Sequence, residues 1–501
     1  MPGGKIGGVA DVVRDLPAAL VEQGLRPLII TPSYGTLHQL PGATKMSALD
    51  VTFAGSTHSV DLYQVPGIDN GVANVVVEHA NLQPTEPGVV YHSLENEGPY
   101  ATDASKFAFF CACVATWIEQ LPSAPKTVHL HDWHAAFYLL LRAYDPKFAK
   151  LQSIQTVYTI HNLSYQGQRP LDHHQSSLAA WYHDLPVVMD EICDPRARDC
   201  LNPMKAAIRL ADRINTVSPT YAREIMLPSD RSRGFIGGEG LEDELAMAAT
   251  DGRLVGILNG CYYSARQGRG HGWAAIKAQV GDAVDRWHKA KPAIDHELAQ
   301  ARIDSLPARR RKHILVSIGR LVEQKASLFV QPLQDGRTAL EHVLDLIGNK
   351  GVFYFLGSGD EVYEQQIAEI GARSPNFIFL RGYAEELSNA LYRAGDLFLM
   401  PSSFEPCGIS QMLAMRAGQP CVVHGVGGLV DTVENDVSGF VFNGETAMEQ
   451  AEAFVESVNR GLQMREQNAD DWLKMRRTAS SKRFEWSTSA KKYIELMYEV
   501  A

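Results

Sequence analysis

Arg320 and Lys325 stand five positions apart in Gly319-Arg320-Leu321-Val322-Glu323-Gln324-Lys325, directly after the apolar run 313–318. Arginine forks onto phosphate oxygens and lysine approaches as a compact charge, so the pair has the chemistry to neutralise a diphosphate. Further on, Pro401-Ser402-Ser403-Phe404-Glu405-Pro406-Cys407-Gly408-Ile409-Ser410-Gln411 sets one carboxylate on a tight loop bounded by proline and glycine. Gly427-Gly428-Leu429-Val430-Asp431-Thr432-Val433 then opens a helix-like stretch with a glycine pair. A carboxylate in such a loop can accept from sugar hydroxyls, and the N–H groups of a helix start suit phosphate oxygens. Lys5-Ile6-Gly7-Gly8-Val9-Ala10-Asp11 combines adjacent glycines, which allow close backbone approach, with a lysine charge. His129-Leu130-His131-Asp132-Trp133-His134 offers three imidazoles and a carboxylate, while Thr159-Ile160-His161-Asn162 and Thr216-Val217-Ser218-Pro219 add polar groups. Each group taken singly also has a plainer reading: a solvated basic loop, histidines satisfied in a strand-end turn, or turn chemistry. With neither HExxH nor a DxD pair in the chain, no metal site is expected.

These groups follow short apolar runs. The runs 27–31, 73–78, 127–130, 154–160 and 213–217 predict buried parallel strands, and 313–318, 352–356, 377–380, 397–400 and 420–423 predict a second series. Helix-like stretches between the runs give two doubly wound α/β units, as 501 residues would fill. The expected division is 1–240, an interdomain segment 241–311, 312–480, and a C-terminal helix 481–501 packing across the junction with Trp486, Tyr493, Leu496 and Met497 on one face. Open α/β sheets bind ligands at the carboxyl ends of their strands, so two such domains are expected to face a central cleft.

Apolar residues make up 45 % and charged residues 21 %, as in soluble globular chains. A net charge of -11 argues against a nucleic-acid partner. Seven scattered cysteines without a CxxC suggest neither a disulfide framework nor a zinc cluster. The longest apolar stretch, 107–118, is about half of what a bilayer demands, so no membrane partner is expected. The glycine-rich start is unlike a secretory leader, and a reducing, cytoplasmic setting is expected.

In combination and order, these segments resemble the bacterial glycogen synthase and plant starch synthase family, across 5–486. Gly256-Ile257-Leu258-Asn259-Gly260 and Leu356-Gly357-Ser358-Gly359-Asp360 also fall in the family's order. The resemblance implies the GT-B fold, with two Rossmann-like domains: 1–240 on the acceptor side and 312–480 binding the nucleotide sugar. It implies a retaining glucosyltransferase that moves glucose from ADP-glucose to the non-reducing end of an α-1,4-glucan, without cofactor. The partners would be the nucleotide-sugar donor and the glucan. UDP-glucose remains the lesser donor; a same-fold enzyme making a small glucoside and a non-catalytic glucan-binding relative remain the alternatives. Carried over by residue, Lys5, Gly7 and Gly8 would reach the diphosphate and reacting sugar, and Arg320 and Lys325 the departing diphosphate. Glu405 would sit by the glucose hydroxyls, Gly427, Gly428 and Leu429 would offer backbone N–H groups, and Tyr383 would pack on the base. His131 would contact the glucose and Asp103 would face the reaction centre, with Asn162, Cys407 and Gly408 completing the substrate-binding set.

Three departures from the family pattern stand out. A short strand usually precedes the Lys-x-Gly-Gly block, whereas Lys5 lies four residues after Met1; truncation and an open sheet edge are the expectation. Cys261-Tyr262-Tyr263-Ser264 replaces the usual acidic and Trp-Asn-Pro continuation, and Ala326 stands where glycine is usual.

Overall fold

The structure is a computed structural model describing residues 7–67, 71–92, 98, 100–263 and 272–499. Its contacts divide the chain into two compact units, one of Met1–Ser229, Gly237–Gly260 and Glu485–Ala501, the other of Asp230–Ile236 and Cys261–Phe484. Sixteen strands run in chain order: β1 Leu28–Pro32, β2 Thr44–Phe53, β3 Ser56–Gln64, β4 Ala73–Glu78, β5 Thr127–His131, β6 Gln155–Ile160, β7 Arg169–Pro170, β8 Cys200–Leu201, β9 Arg213–Thr216, β10 Leu254–Gly256, β11 His313–Ile318, β12 Gly351–Gly357, β13 Phe377–Arg381, β14 Leu397–Met400, β15 Cys421–His424 and β16 Gly439–Phe442.

The first unit holds two four-stranded sheets, ordered β1-β4-β3-β2 and β10-β9-β6-β5. All ladders of the second are parallel. Every residue of β6 is buried, as expected of an apolar run covered on both faces. β2 and β3 form an antiparallel hairpin around Ala54 and Gly55, both at positive φ, the turn that matches strand twist. Among the described residues, β1 and β5 are edge strands of their sheets. Val12, Leu16, Ala19 and Leu20 of the Gly7–Glu22 helix share a core with Trp486, Ala490, Tyr493 and Met497. The C-terminal helix Trp486–Leu496 thus lies on the first unit; of the face expected for it, Leu496 is instead 42 % exposed.

The second unit is built on a six-stranded parallel sheet, β13-β12-β11-β14-β15-β16. Alternation along the strands sends Ile314, Val316, Val352 and Tyr354 to one core and Leu315, Phe353 and Phe355 to the other. The stretch 241–311 is shared: 241–260 fall in the first unit, 261–311 in the second. Within it, the helices Trp273–Ala290 and Ile294–Ser305 bury Ile276, Val280, Val284 and Ile303 against the first of these cores. The chain proceeds from β11 through β12 to β13 on one side, then returns to β14 on the other. The strand order therefore reverses between β11 and β14, and such a switch point leaves a crevice at the carboxyl ends of the strands.

Candidate active site

In the second unit the loops after β11 and β14 flank this crevice, and they are tied together. Lys325, on the Glu323–Val330 helix, donates from Nζ to Glu405 Oε2 at 2.5 Å. Ser402 Oγ donates to the same oxygen at 3.1 Å. Gln324 Nε2 donates to Phe404 O at 2.9 Å, and Ser403 N to Gln324 O at 2.8 Å, latching the helix start to the loop. Glu405 is 6 % exposed, so its carboxylate is fixed before any ligand arrives. Arg320 is exposed and makes no hydrogen bond or ion pair among the described residues, leaving its guanidinium available. Tyr383, after β13, is 60 % exposed.

The glycines expected to offer N–H groups have a second role. Gly428 N donates to Glu405 O at 3.0 Å and Leu429 N to Val426 O at 3.1 Å, so both close the loop instead of standing free. A Cβ on Gly428 would fall 2.4 Å from Cys407 O, and Gly427 has φ +45. Gly408, at φ +74, packs on Gln411, whose Nε2 donates to Gly408 O at 2.9 Å; Cys407 is buried alongside. Gly428→Ala is therefore expected to displace the Glu405 loop and cost about 1–3 kcal/mol, read by denaturant unfolding.

In the first unit β5 ends at His131, and Asp132, at φ +52, starts the Asp132–Tyr144 helix. Asp132 Oδ1 accepts from His161 N at 2.7 Å and Asn162 N at 3.4 Å, clamping the loop after β6 beside the end of β5. His131 Nδ1 and His161 Nε2 lie 3.0 Å apart. Asn162 Oδ1 accepts from Ser164 N at 3.0 Å. Gly7, at φ +74, and Gly8 open the first helix, with no atom of the described residues within 4 Å of where a Cβ would be. Lys5 lies outside the described residues.

Burial lowers His131 from its ordinary 6.5 to about 4. Burial, with Lys106 nearby, lowers His134 to about 3. Burial and neighbouring rings hold His129 and His161 well below 6.5, so these imidazoles are neutral at neutral pH. The contribution of His131 is full above pH 6.5, the unfolded value, and is lost as pH falls through about 4, and the other three imidazoles act in the same direction. Burial raises Asp132 to about 7 despite the His161 and Asn162 N–H groups, so its contribution is lost in the other direction, as pH rises from 3.8 through about 7. Four imidazoles outweigh one carboxyl, and the melting temperature is expected to drop between pH 6.5 and about 4. Melts of a His134→Gln variant should show a shallower drop.

Asp103, expected to face the reaction centre, is held in a buried ion pair. Its Oδ1 accepts from Lys106 Nζ at 2.6 Å, and its carboxylate accepts from His92 N at 3.0 Å. Lys106, whose side chain is fully buried, also donates to Val90 O at 2.5 Å and lies over the Phe107 ring. In the structure Asp103 is thus the counter-ion of a buried lysine. Asp103→Ala is expected to cost about 3–5 kcal/mol in chemical unfolding, because it leaves the ammonium unpaired. Asp103→Leu combined with Lys106→Met should recover most of that loss.

Sequence reasoning missed the latching by Gln324 and Ser403, and the use of Asp132 as a loop clamp. Gln324 precedes Lys325 within one motif, but nothing in the spacing pairs it with Phe404.

Residues 1–247 match the family model described as starch synthase catalytic domain, and residues 312–462 that of glycosyl transferases group 1. The structure is similar to the catalytic domain of starch synthase IV from Arabidopsis thaliana, solved bound to ADP and acarbose, with a TM-score of 0.78 and 27 % identity over 99 % of this chain and 96 % of that one. The sucrose-phosphate synthase of Thermosynechococcus elongatus shares the fold, at a TM-score of 0.53 and 16 % identity over 98 % of this chain and 93 % of that one. The chain is thus a glycosyltransferase of the GT-B fold. Glycogen synthase 2 of Geobacter sulfurreducens is 32 % identical over 100 % of this chain and 96 % of its own length. The glycogen synthase of Desulfitobacterium hafniense is 30 % identical over 98 % and 95 %. The chain belongs to the glycogen synthase and starch synthase family.

Proposed function

We propose that the protein transfers glucose from ADP-glucose to the non-reducing end of an α-1,4-glucan with retention of anomeric configuration, and that it works in the cytoplasm. The observation that carries this reading is the Lys325–Glu405 pair, fixed at the strand-order switch point beside an unengaged Arg320, in a chain of this family. No disulfide joins any of the seven cysteines, as this reading of a reducing setting has it. No helix among the described residues is long and apolar enough to cross a membrane.

In this reading the second unit binds the donor. Arg320 and Lys325 neutralise the diphosphate as the bond from its oxygen to the anomeric carbon breaks. Lys5, Gly7 and Gly8 add contacts to the diphosphate and the reacting sugar. Glu405 accepts from glucose hydroxyls, the Cys407–Gly408 and Gly427–Leu429 turns hold that carboxylate in place, and Tyr383 packs on the base. His131, neutral, hydrogen-bonds to the glucose without adding charge, and Asn162 contacts the substrate beside it. The acceptor 4-hydroxyl attacks the anomeric carbon from the face the diphosphate leaves, and its proton passes to the leaving phosphate oxygen. Cation, donor and acceptor groups already in place lower the barrier without reorganising at the moment of reaction. No cofactor enters the step.

The test is nucleotide release from ADP-glucose and UDP-glucose with glycogen, a short maltooligosaccharide or no acceptor, followed by sizing of the products. Glycogen-dependent ADP release with chain growth is the expected result. Release only with a small acceptor would move the activity to small-glucoside synthesis, and no release with any acceptor would support a non-catalytic glucan-binding protein.

A further inference from the structure

His129 and His131 alternate on β5 and so face the same side, their ring centroids 4.4 Å apart. Among the described residues the His131 ring has one hydrogen-bond partner, His161, and its other nitrogen has none. The His129 ring lies against it, and His129 is held at both nitrogens. Nδ1 lies 2.9 Å from Tyr498 Oη and Nε2 lies 2.6 Å from Thr159 Oγ1.

The proton order in this chain follows from counting hydrogens. Thr159 Oγ1 donates its one hydrogen to Asn215 Oδ1 at 2.6 Å, so toward His129 it can only accept. His129 therefore carries its proton on Nε2, and its bare Nδ1 accepts from the Tyr498 hydroxyl. The amide of Asn215 is oriented in turn, because its Nδ2 donates to Tyr493 Oη at 2.9 Å. Tyr498 itself is bracketed: Gln155 Nε2 donates to Met497 O and Gln155 Oε1 accepts from Glu499 N, each at 3.0 Å.

We infer that Tyr498 and Thr159 are positioning residues for His131, holding through the doubly anchored ring of His129 the imidazole that meets the sugar. The inference rests on the proposed assignment of His131 to the glucose. Removing the Tyr498 hydroxyl leaves His129 Nδ1 buried without a donor and lets that ring, and His131 against it, tilt.

The test pairs kinetics with nitrogen NMR of the full chain carrying 15N-labelled histidine. Tyr498→Phe is expected to lower kcat about tenfold, the scale for removing an outer hydrogen-bond partner of an active-site imidazole. KM for ADP-glucose should stay within about twofold, because the loss is one of transition-state geometry. Thr159→Val should fall alike, and Thr159→Ser, which keeps the hydroxyl, should recover the rate. The double variant Tyr498→Phe with Thr159→Val should be no slower than the slower single variant, since both act through one ring. The spectra should show His129 protonated at Nε2, with Tyr498→Phe shifting the His131 resonances. An undiminished kcat in folded Tyr498→Phe, losses that multiply in the double variant, or His129 protonated at Nδ1 would overturn the inference. An inactive wild-type protein that still shows the Nε2 tautomer and the Tyr498-dependent shift would keep the relay and overturn only the assignment of His131 to the sugar.

Discussion

Glu405→Ala is expected to lower the rate of glucosyl transfer by at least about 100-fold in a protein that remains folded, the scale for losing one preorganised group at a reacting centre. The carboxylate accepts from Lys325 Nζ and Ser402 Oγ, and its backbone carbonyl accepts from Gly428 N, so one residue joins three segments of the switch-point crevice. Truncation removes the sugar acceptor and the partner that aims Lys325. The Lys325 side chain is 22 % exposed, and the ammonium left behind can hydrate; this is why activity should fall much further than stability. Steady-state kinetics beside circular dichroism and a thermal melt separate the two. Near-normal turnover by a folded Glu405→Ala protein would remove Glu405 from the site.

Arg320→Ala is expected to produce a similar loss, at least about 100-fold, with the melting temperature unchanged. The physical basis is that Arg320 is exposed and has no partner among the described residues, so the fold gains nothing from its charge. Arg320→Lys should recover only part of the rate, because a point charge replaces a planar fork that engages two phosphate oxygens together. A wild-type rate in Arg320→Ala would leave Lys325 as the diphosphate group of this loop; a lowered melting temperature would show a structural task that its exposure does not suggest.

Much of the fold was legible because parallel strands buried on both faces read as continuous apolar runs. Residues 154–160 and 352–356 gave β6 and β12 almost residue for residue. The β2–β3 hairpin was not foreseen, because β2 buries only alternate residues in its second half and its polar first half has no apolar run to detect. Leu496 was placed on the apolar face of the C-terminal helix because spacing alone cannot distinguish the centre of a packed stripe from its margin. For the site, the motifs located Lys325 and Glu405 without revealing their contact, which spans 80 positions. The Asp103–Lys106 pair was not foreseen although a local signal was present: Lys106, three positions on along the same helix, is where a pairing cation would stand. The Tyr498–His129 bond joins residues 369 positions apart, and no periodicity links them. Residues stood out in sequence by type and motif, while the contacts that join distant motifs left no trace there.

The central claim concerns the bond that is made, and the most direct test is to watch it form. Incubating the protein with glycogen and ADP-glucose carrying 13C at the glucose anomeric carbon, and following that carbon by NMR, reports donor use, linkage and configuration together. The account predicts that the label leaves the donor and appears as an α-1,4-linked anomeric carbon on the polymer. Label appearing in a β-linkage, in a small glucoside or as free glucose would contradict it.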